Sequence, residues 1–201
     1  MVGTLTVQNL QGPASGANAN KVIIPSGHTL DASAGFVPSA GQIVQVQYGE
    51  LSSRVIYNNQ AFGSIGLSAT ITPTSASSLI LITICFGRLS TSQTTGDHGG
   101  AIRVMRNGVD SGLNGVSDGS RPLGAFKFEG RQFNADHATG GYGMTGIDAP
   151  SSTSTLTYDV QAWNQTSGYP LVINGSHADS NAYYDYNVRT KSFIILQEIA
   201  Q

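Results

Sequence analysis

Residues that build charged helices are scarce in this sequence, because Lys and Glu occur only three times each among its 201 residues. Residues that favour turns and strands are abundant instead, and Gly, Ser, Thr and Asn together supply 77 positions. No segment of about ten residues repeats its apolar positions with the period of a helix. One main globular domain fits this length, and we expect it to be all-β.

A strong net charge is also lacking: ten Lys and Arg stand against twelve Asp and Glu, for a formal net charge of −2. Without a basic run, the sequence argues against a nucleic-acid partner and against a polybasic membrane anchor. No apolar run approaches the roughly 18 to 20 residues that span a bilayer, and residues 1–20 lack the pattern of a signal peptide. We therefore expect a protein made in a cytoplasm, without membrane insertion and without export by the general secretory route.

Recognisable catalytic and metal-binding motifs are missing as well. The single cysteine, Cys85, lies in the apolar run 79–86, where we expect a small buried side chain that makes no intrachain disulfide. The histidines have no metal-ligand spacing, and neither a nucleophile-elbow motif nor a phosphate-binding loop motif occurs. The sequence therefore predicts no catalytic residues, no metal and no cofactor. The histidines are His28, His98, His137 and His177.

Residues 42–201 have the pattern of an antiparallel β-sandwich head that is jelly-roll-like, with strands bounded by turn clusters. The 79–86 run is apolar throughout, which predicts a central strand, and Asn107-Gly108 predicts a two-residue hairpin turn. Runs of strand character lie at residues 42–48, 65–72, 79–86, 101–106, 155–163 and 192–199.

Residues 155–163 alternate between apolar and polar side chains, and Trp163 at the end of this run is assigned to the core. The apolar members of the alternation are Leu156, Tyr158, Val160 and Ala162. Two regions between the strands, residues 108–154 and 164–187, are predicted as long loops, with a short strand at 126–128 inside the first. Long loops on a rigid β scaffold are where binding usually occurs.

Residues 1–41 differ from the rest and are predicted to form an extended, stalk-like attachment segment. Within it, residues 21–31 are expected to form a short strand, a Pro-Gly turn and another short strand. These elements are too small to bury a core in one chain, which predicts that copies of the chain associate. The expected contacts in a homotrimer are Val22, Ile23, Ile24 and Leu30.

The second long loop is rich in aromatic and polar residues that could contact a glycan. A sugar packs its C–H face on an aromatic ring while its hydroxyls bond to carboxylates and amides. The alternative is that these tyrosines pack the loop against the head or lie at a subunit interface, where Tyr is enriched. The candidate residues are Tyr169, His177, Asp179, Tyr183, Tyr184 and Tyr186.

Four segments together resemble fibre-type virion proteins of marine and cyanobacterial tailed phages. They are residues 16–31 (GANANKVIIPSGHTLD), 37–46 (VPSAGQIVQV), 71–81 (ITPTSASSLIL) and 196–200 (LQEIA). The resemblance implies a homotrimeric fibre or spike subunit of the virion that binds other virion proteins through its N-terminal segment. It also implies a β-sandwich head, with host-surface glycan as a further partner, and no catalytic residues.

Two other functions remain open from the sequence. One is purely architectural, as a head decoration protein or a tail-fibre adaptor without a receptor role. The other, which we favour least, is a polysaccharide depolymerase, because paired catalytic carboxylates come from distant strands and leave no spacing signature. Only three Glu residues are available for such a pair. The N-terminal segment is expected at the virion end of the molecule and the 164–187 loop at the outward end.

Overall fold

The structure is a computed structural model that describes residues 12–17, 19, 21–28, 38–91, 97–116, 119–131, 139–177, 179, 181 and 188–201. The chain divides into two compact units, Met1–Val37 and Pro38–Gln201. Every regular element in the described residues is a β-strand, so the prediction of an all-β protein is confirmed there. Accordingly, this part of the chain contains no helix long and apolar enough to cross a membrane.

The second unit contains the strands, which alternate with turns in the way that the Gly-, Ser- and Asn-rich sequence favours. In chain order they are β1 Ile43–Leu51, β2 Val55–Tyr57, β3 Gly63–Ile71, β4 Leu79–Thr91, β5 Asp97–Arg106, β6 Val109–Asp110, β7 Phe126–Arg131, β8 Thr139–Asp148, β9 Leu156–Asn164, β10 Leu171–Ile173 and β11 Ser192–Ile199.

The first sheet is built around β4. On one edge of β4 lies β8, and on the other edge β11 pairs with its first half and β10 with its last three residues. β1 continues the sheet beyond β11, and β2 lies beyond β10. All of these pairs are antiparallel. The order of strands across the main part of the sheet is β1, β11, β4, β8.

The second sheet runs β3, β9, β5, β7, again with antiparallel pairs throughout. The two-residue strand β6 pairs with the end of β5. It lies on the same edge of β5 as β7, which pairs with the start of β5. The hairpin between β5 and β6 turns through Asn107 and Gly108, whose φ angles are 49° and 80°. Positive φ at both central positions is what this tight turn requires, and the Asn-Gly prediction is confirmed.

One hydrophobic core lies between the two sheets, which therefore pack as a β-sandwich. Strand β9 shows the pattern most clearly, since Tyr158, Val160 and Ala162 are completely buried, as their alternation predicts. Facing them from the first sheet are Ile80, Ile82 and Ile84 of β4, which are also completely buried. The period of two in each strand therefore sends every second side chain into the shared core.

The continuous apolar run 79–86 forms the start of β4, which is a central strand as predicted, but only every second side chain enters the core. Leu79, Leu81 and Thr83 face the outer side of the first sheet and are half-buried. Cys85 follows them on this side and is exposed, so the expectation of a buried cysteine is wrong. The pleat explains the error, because residues at odd and even positions of a strand face opposite sides whatever their polarity.

The two regions predicted as long loops contain strands that the sequence did not reveal. Region 108–154 includes the ten-residue strand β8, and region 164–187 includes β10. Glycine hides β8 in the sequence, because a Gly-rich strand lacks side chains to show alternation. Gly146 faces the core, where a Cβ atom added to it would lie 2.5 Å from Leu113 Cδ2, so Leu113 fills the space of the missing side chain.

In the first unit, the described residues form turns. The Pro-Gly turn is confirmed, because His28 N–H donates to the Pro25 carbonyl at 3.1 Å and Gly27 has a φ of 83°. Residues 21–25 are not assigned to a strand within the described residues, and most of the second strand expected in this segment lies outside them. Val22, Ile23 and Ile24 are exposed in the single chain. The fourth predicted trimer contact, Leu30, lies outside the described residues.

Candidate ligand-binding site

The outer face of the second sheet carries polar and aromatic side chains. Because Leu156, Tyr158, Val160 and Ala162 of β9 face the core, the alternate positions face outward. Trp163 is one of these outward positions and is half-buried, so its assignment to the core is wrong. The same alternation that places Ala162 inside sends its neighbour to the other face.

A cross-strand row on this face joins an aromatic residue to a cation. Ala101 of β5 lies between Trp163 of β9 and Lys127 of β7 and is the direct register partner of both. Neighbouring strands are about 4.8 Å apart, so the backbones of Trp163 and Lys127 are separated by about 10 Å. The methyl group of Ala101 is small, which leaves space above the middle strand between the two long side chains.

This space is a cavity of about 470 Å³, within the range that holds small ligands. We call it the Trp163 cavity. Its described lining combines an aromatic platform, two cations and an amide with small and apolar groups, and it includes no Asp or Glu. The lining residues are Ala101, Arg121, Pro122, Gly124, Phe126, Lys127, Trp163 and Gln165.

Backbone hydrogen bonds fix the segments that bring these side chains together. Ala125 N–H donates to the Ile102 carbonyl at 2.7 Å, which holds the chain that leads into β7 along the edge of β5. At the end of β9, Gln165 N–H donates to the Gly99 carbonyl at 3.0 Å. Both the entry to β7 and the exit from β9 are therefore tied to β5, so the cavity is built on the sheet.

A hydrogen-bonded network lies on the same outer face. Arg103 Nε donates to Gln161 Oε1 at 2.8 Å, and its guanidinium carbon lies 4.4 Å from the centre of the Phe62 ring. Gln161 Nε2 donates in turn to Asp159 at 3.0 Å, and Ser64 Oγ donates to the other oxygen of that carboxylate at 2.5 Å. The network holds Gln161, two positions before Trp163, in a single orientation.

The residues predicted as glycan contacts do not line this cavity in the described part of the chain. Tyr169 is exposed, His177 is half-buried, and neither they nor Asp179 belong to the described lining of the Trp163 cavity. Tyr183, Tyr184 and Tyr186 lie outside the described residues. The sequence did not point to Trp163, Lys127 and Arg121 as residues of one cavity. Only the outward position of Trp163 had a signal in the sequence, namely the alternation of apolar and polar residues along β9.

Arg54 packs the first part of the 164–187 region against the sandwich. Its Nε donates to the Ser176 carbonyl at 3.0 Å and its Nη2 to the His177 carbonyl at 2.7 Å. Asp179 forms ion pairs with Arg54, at 3.7 Å, and with Arg189. Burial and the nearby charge of Arg189 lower the pKa of Arg54. These contacts engage the backbone carbonyls of Ser176 and His177 and the carboxylate of Asp179, so the Asp179 carboxylate takes part in packing this part of the loop.

Two carboxylates face the core of the first sheet on either side of Ile80, the register partner of both Glu198 and Asp148. The Glu198 carboxylate accepts four hydrogen bonds, each 2.7 Å long, from Gln45, Ser78 and the side chain and backbone of Thr74. Burial alone would raise the pKa of Glu198, but these hydrogen bonds outweigh it and lower the pKa. Glu198 is therefore held as a carboxylate that ties the β3–β4 turn to β11.

Asp148 has an equally complete set of partners. Arg106 Nη1 lies 2.6 Å from both of its oxygens, and Tyr158 Oη donates to one of them at 2.6 Å. Burial, followed by the hydrogen bond and charge of Asp148, raises the pKa of Tyr158. Burial of Arg106 disfavours its charged form, but the hydrogen bond and negative charge of Asp148 outweigh this and raise the pKa of Arg106 above its ordinary value. The trio links β5, β8 and β9 across the sandwich.

The geometry thus offers a lined cavity on one face and structural carboxylates in the core. In the described part of the chain, no group of three or more His, Cys, Asp or Glu side chains could hold a metal ion. No protein-family model matches the sequence. No curated protein is significantly similar to it either.

Proposed function

We propose that this chain is a structural subunit of a tailed-phage virion, assembled as a homotrimer. In this proposal residues 1–41 bind other virion proteins, and the sandwich contacts the host surface. The resemblance of segments 16–31, 37–46, 71–81 and 196–200 to phage fibre proteins motivates the viral assignment. Fold alone does not establish function, so the proposal depends on the surfaces that the sandwich presents.

The strand order supports a jelly roll. When the eight strands that make up the main parts of both sheets are numbered 1 to 8 along the chain, the first sheet runs 1-8-3-6 and the second 2-7-4-5. We assign this order to the jelly roll, which joins two Greek keys and recurs in viral capsid and lectin domains. Both uses agree with a virion protein that contacts a surface.

The observation that carries the assembly proposal is the outer face of the first sheet, which is largely apolar. Its most exposed large side chains are Ile43, Val46, Tyr48, Ile147 and Phe193, with Tyr48 74% and Ile147 54% exposed. These residues lie on β1, β11 and β8, and Leu79 and Leu81 of β4 fill the space between them. A contiguous apolar face of this kind marks an interaction site.

Identical copies are the partner we propose for this face. The first half of strand β4 is largely apolar on both sides, and the described residues of one chain leave its outer side partly exposed, so its sequence suits a strand that is buried on both faces. A second set of exposed apolar side chains, Val22, Ile23 and Ile24, occurs in the first unit. Association of copies would cover both sets. With a net charge of only −2, the chain has little self-repulsion to oppose this.

Analytical ultracentrifugation tests the assembly. We expect a trimer at micromolar concentration, and we expect Ile147→Asp to give folded monomers, because the new charge would be buried between copies. Val109→Asp is the matched control, since Val109 is 58% exposed on β6 of the second sheet and should leave the trimer intact. A stable, folded monomer of the unaltered chain would refute the homotrimer.

Labelling of purified phage particles with antibody against the sandwich tests the virion assignment. Label on the tail or its fibres supports the fibre or spike function. Label on the capsid supports the architectural alternative, a head decoration protein. Absence of the protein from purified particles contradicts the proposal as a whole.

A further inference from the structure

We propose that the Trp163 cavity binds a neutral pyranose, namely a glucose-type sugar ring of a host-surface glycan. This inference deepens the adhesive part of the proposed function and rests on it. It places the glycan contact on the outer face of the second sheet and away from the tyrosine-rich loop. Stacking on an indole and hydrogen bonding to an amide select the ligand, without an ionic contact.

An aromatic platform is the first requirement for a sugar ring. Trp163 is half-buried and lines the cavity, so part of its indole is open to a ligand while the rest is held against the sheet. Its register partner Ala101 carries only a methyl group and leaves the middle of the row empty. A sugar ring stacked on the indole would therefore lie above Ala101, with its C–H face on the aromatic surface.

The platform has a fixed border on the side of β3. The ladder between β3 and β9 places Phe62, the residue before β3, beside Trp163. The guanidinium of Arg103 packs over the Phe62 ring at 4.4 Å and donates to Gln161, which holds this border in one arrangement. A platform with such ordered surroundings loses little side-chain entropy when a ligand stacks on it.

A polar group that suits hydroxyls is the second requirement. Gln165 lines the cavity two positions after Trp163. Its backbone is fixed on both sides, because its N–H donates to the Gly99 carbonyl at 3.0 Å and its carbonyl accepts from Gln60 Nε2 at 2.9 Å. A side-chain amide both donates and accepts, as a sugar hydroxyl does, so Gln165 can bond to hydroxyls at the edge of the stacked ring.

The cations of the lining do not require an acidic ligand. Arg121 and Lys127 both have interactions within the protein, so neither depends on a ligand for a partner. On the adjoining part of the face, Arg103 is linked to the carboxylate of Asp159 through Gln161. A neutral ring therefore suits the site through its C–H face and its hydroxyls.

The glucose type fits the platform best among pyranoses. In its β form every ring substituent is equatorial, whereas an axial hydroxyl on the stacked face would stand between the ring and the indole. A nucleobase would also stack on Trp163. A nucleic-acid strand, however, needs a basic track along its phosphates, and the sequence contains no basic run.

The probe is cellohexaose, a neutral chain of β-linked glucose, and its control is sorbitol, which carries similar hydroxyl groups without a ring. Because Trp163 is the only tryptophan in the chain, intrinsic fluorescence reports directly on the cavity. We expect a saturable change in Trp163 emission with cellohexaose. Sorbitol at the same concentration of hydroxyl groups should give no saturable change.

A matched pair of aromatic variants tests the platform. Trp163→Ala should weaken cellohexaose binding at least about thirtyfold in calorimetry, as for a Trp that anchors an interface, with circular dichroism to show that the sandwich is retained. Trp163→Phe keeps a smaller ring and should have intermediate affinity. Tyr169→Ala removes a ring that is 39% exposed and outside the described lining of the cavity, and it should leave affinity unchanged.

The amide is tested by Gln165→Ala, which should weaken cellohexaose binding about threefold to tenfold, the loss expected for one or two hydrogen bonds. The backbone bonds of Gln165 do not involve its side chain, so the fold should be retained. An unchanged affinity in Gln165→Ala would remove the amide from the site.

Absence of saturable cellohexaose binding, or an unchanged affinity in the two Trp163 variants, would overturn the inference. Tighter binding of oligogalacturonate than of cellohexaose would overturn the neutral class, and tighter binding of oligothymidylate would overturn the sugar class. A trimer that is present on the virion but binds no cellohexaose refutes only this inference. A cellohexaose-binding protein that is monomeric supports the cavity and refutes the assembly part of the proposed function.

Discussion

The outer faces of the two sheets differ sharply, although their inner faces share one core. On the first sheet, Val46, Tyr48 and Ile147 are apolar and exposed. On the second sheet, Asp159 and Gln161 take part in a hydrogen-bonded network. Equivalent positions in the pleat therefore carry opposite chemistry on the two sides of the sandwich.

This difference shows how one alternation serves two purposes. Most inner residues of the strands are apolar because they must fill the core. The outer residues have no such requirement, so their character reflects what the surface contacts. A polar outer face with an aromatic cavity suits a small ligand in water, whereas an apolar outer face suits another protein surface.

The largest expected effect separates the inner and outer sides of β4. Ile82→Ala should cost about 2 to 5 kcal/mol of unfolding free energy, because Ile82 is completely buried in the core. Leu81→Ala is its matched partner on the outer side and should cost about 1 kcal/mol or less in a monomer. Denaturant melts in the Ile147→Asp background give both values.

In the assembled protein, Leu81→Ala should additionally weaken association of the subunits. If Leu81→Ala costs as much as Ile82→Ala even in the monomer, the outer face is covered within the chain and the contrast between the two sheets fails. A loss below about 1 kcal/mol for Ile82→Ala would show that this side chain is not part of the core.

An intermediate effect is expected for Glu198, one of the two buried carboxylates of the first sheet. Glu198→Gln should cost roughly 2 to 3 kcal/mol at neutral pH, because the amide cannot accept all four hydrogen bonds that the carboxylate receives. Since the pKa of Glu198 is lowered in the folded state, its contribution is fully present above the ordinary value of 4.5. It is lost as the pH falls through the folded-state pKa.

The difference in unfolding free energy between wild type and Glu198→Gln should therefore shrink below about pH 4.5, in urea melts recorded over a series of pH values. A difference that stays constant from neutral to acidic pH would show that the charge of Glu198 does not stabilise the fold.

The smallest effect is expected for the carboxylate on the outer face of the second sheet. Asp159→Asn should change the unfolding free energy by less than about 1 kcal/mol, because Asp159 is partly exposed and its partners Ser64 and Gln161 can bond to water instead. Thermal melts at neutral pH would check this. If Asp159→Asn lowered the unfolding free energy as much as Glu198→Gln does, the polar outer face of the second sheet would contribute to the stability of the fold, contrary to this expectation.

Much of the strand pattern could be predicted from local sequence. Strand β11 has the same bounds in the structure as in the prediction, and the Asn107-Gly108 turn was recognisable because few dipeptides tolerate two positive φ angles. Strand β8 was not predictable in this way. Its glycines conceal the alternation, and the reason for Gly146 is Leu113, which is distant in sequence and close only after folding.

The candidate site was harder to predict than the strands. The parity of β9 determines that Trp163 faces outward, and assigning a large aromatic residue to the core overlooked that signal. The meeting of Lys127 and Arg121 with Trp163 had no local signal, because β7 and β9 come together only through their common neighbour β5. Tyr169, His177 and Asp179 attracted the prediction by composition, yet the structure places them outside the described lining of the cavity.

By itself, the amino-acid sequence determined the all-β class, most of the main strands around the core and, in strands that alternate clearly such as β9, the side that faces inward. These properties follow from side-chain polarity at a period of two and from the conformational preferences of turn residues. Only the tertiary structure decided which strands are neighbours, and with that the apolar outer face of the first sheet and the Trp163 cavity of the second. Strand order is set by packing between segments far apart in the chain, and local sequence carries no record of which distant strand lies alongside.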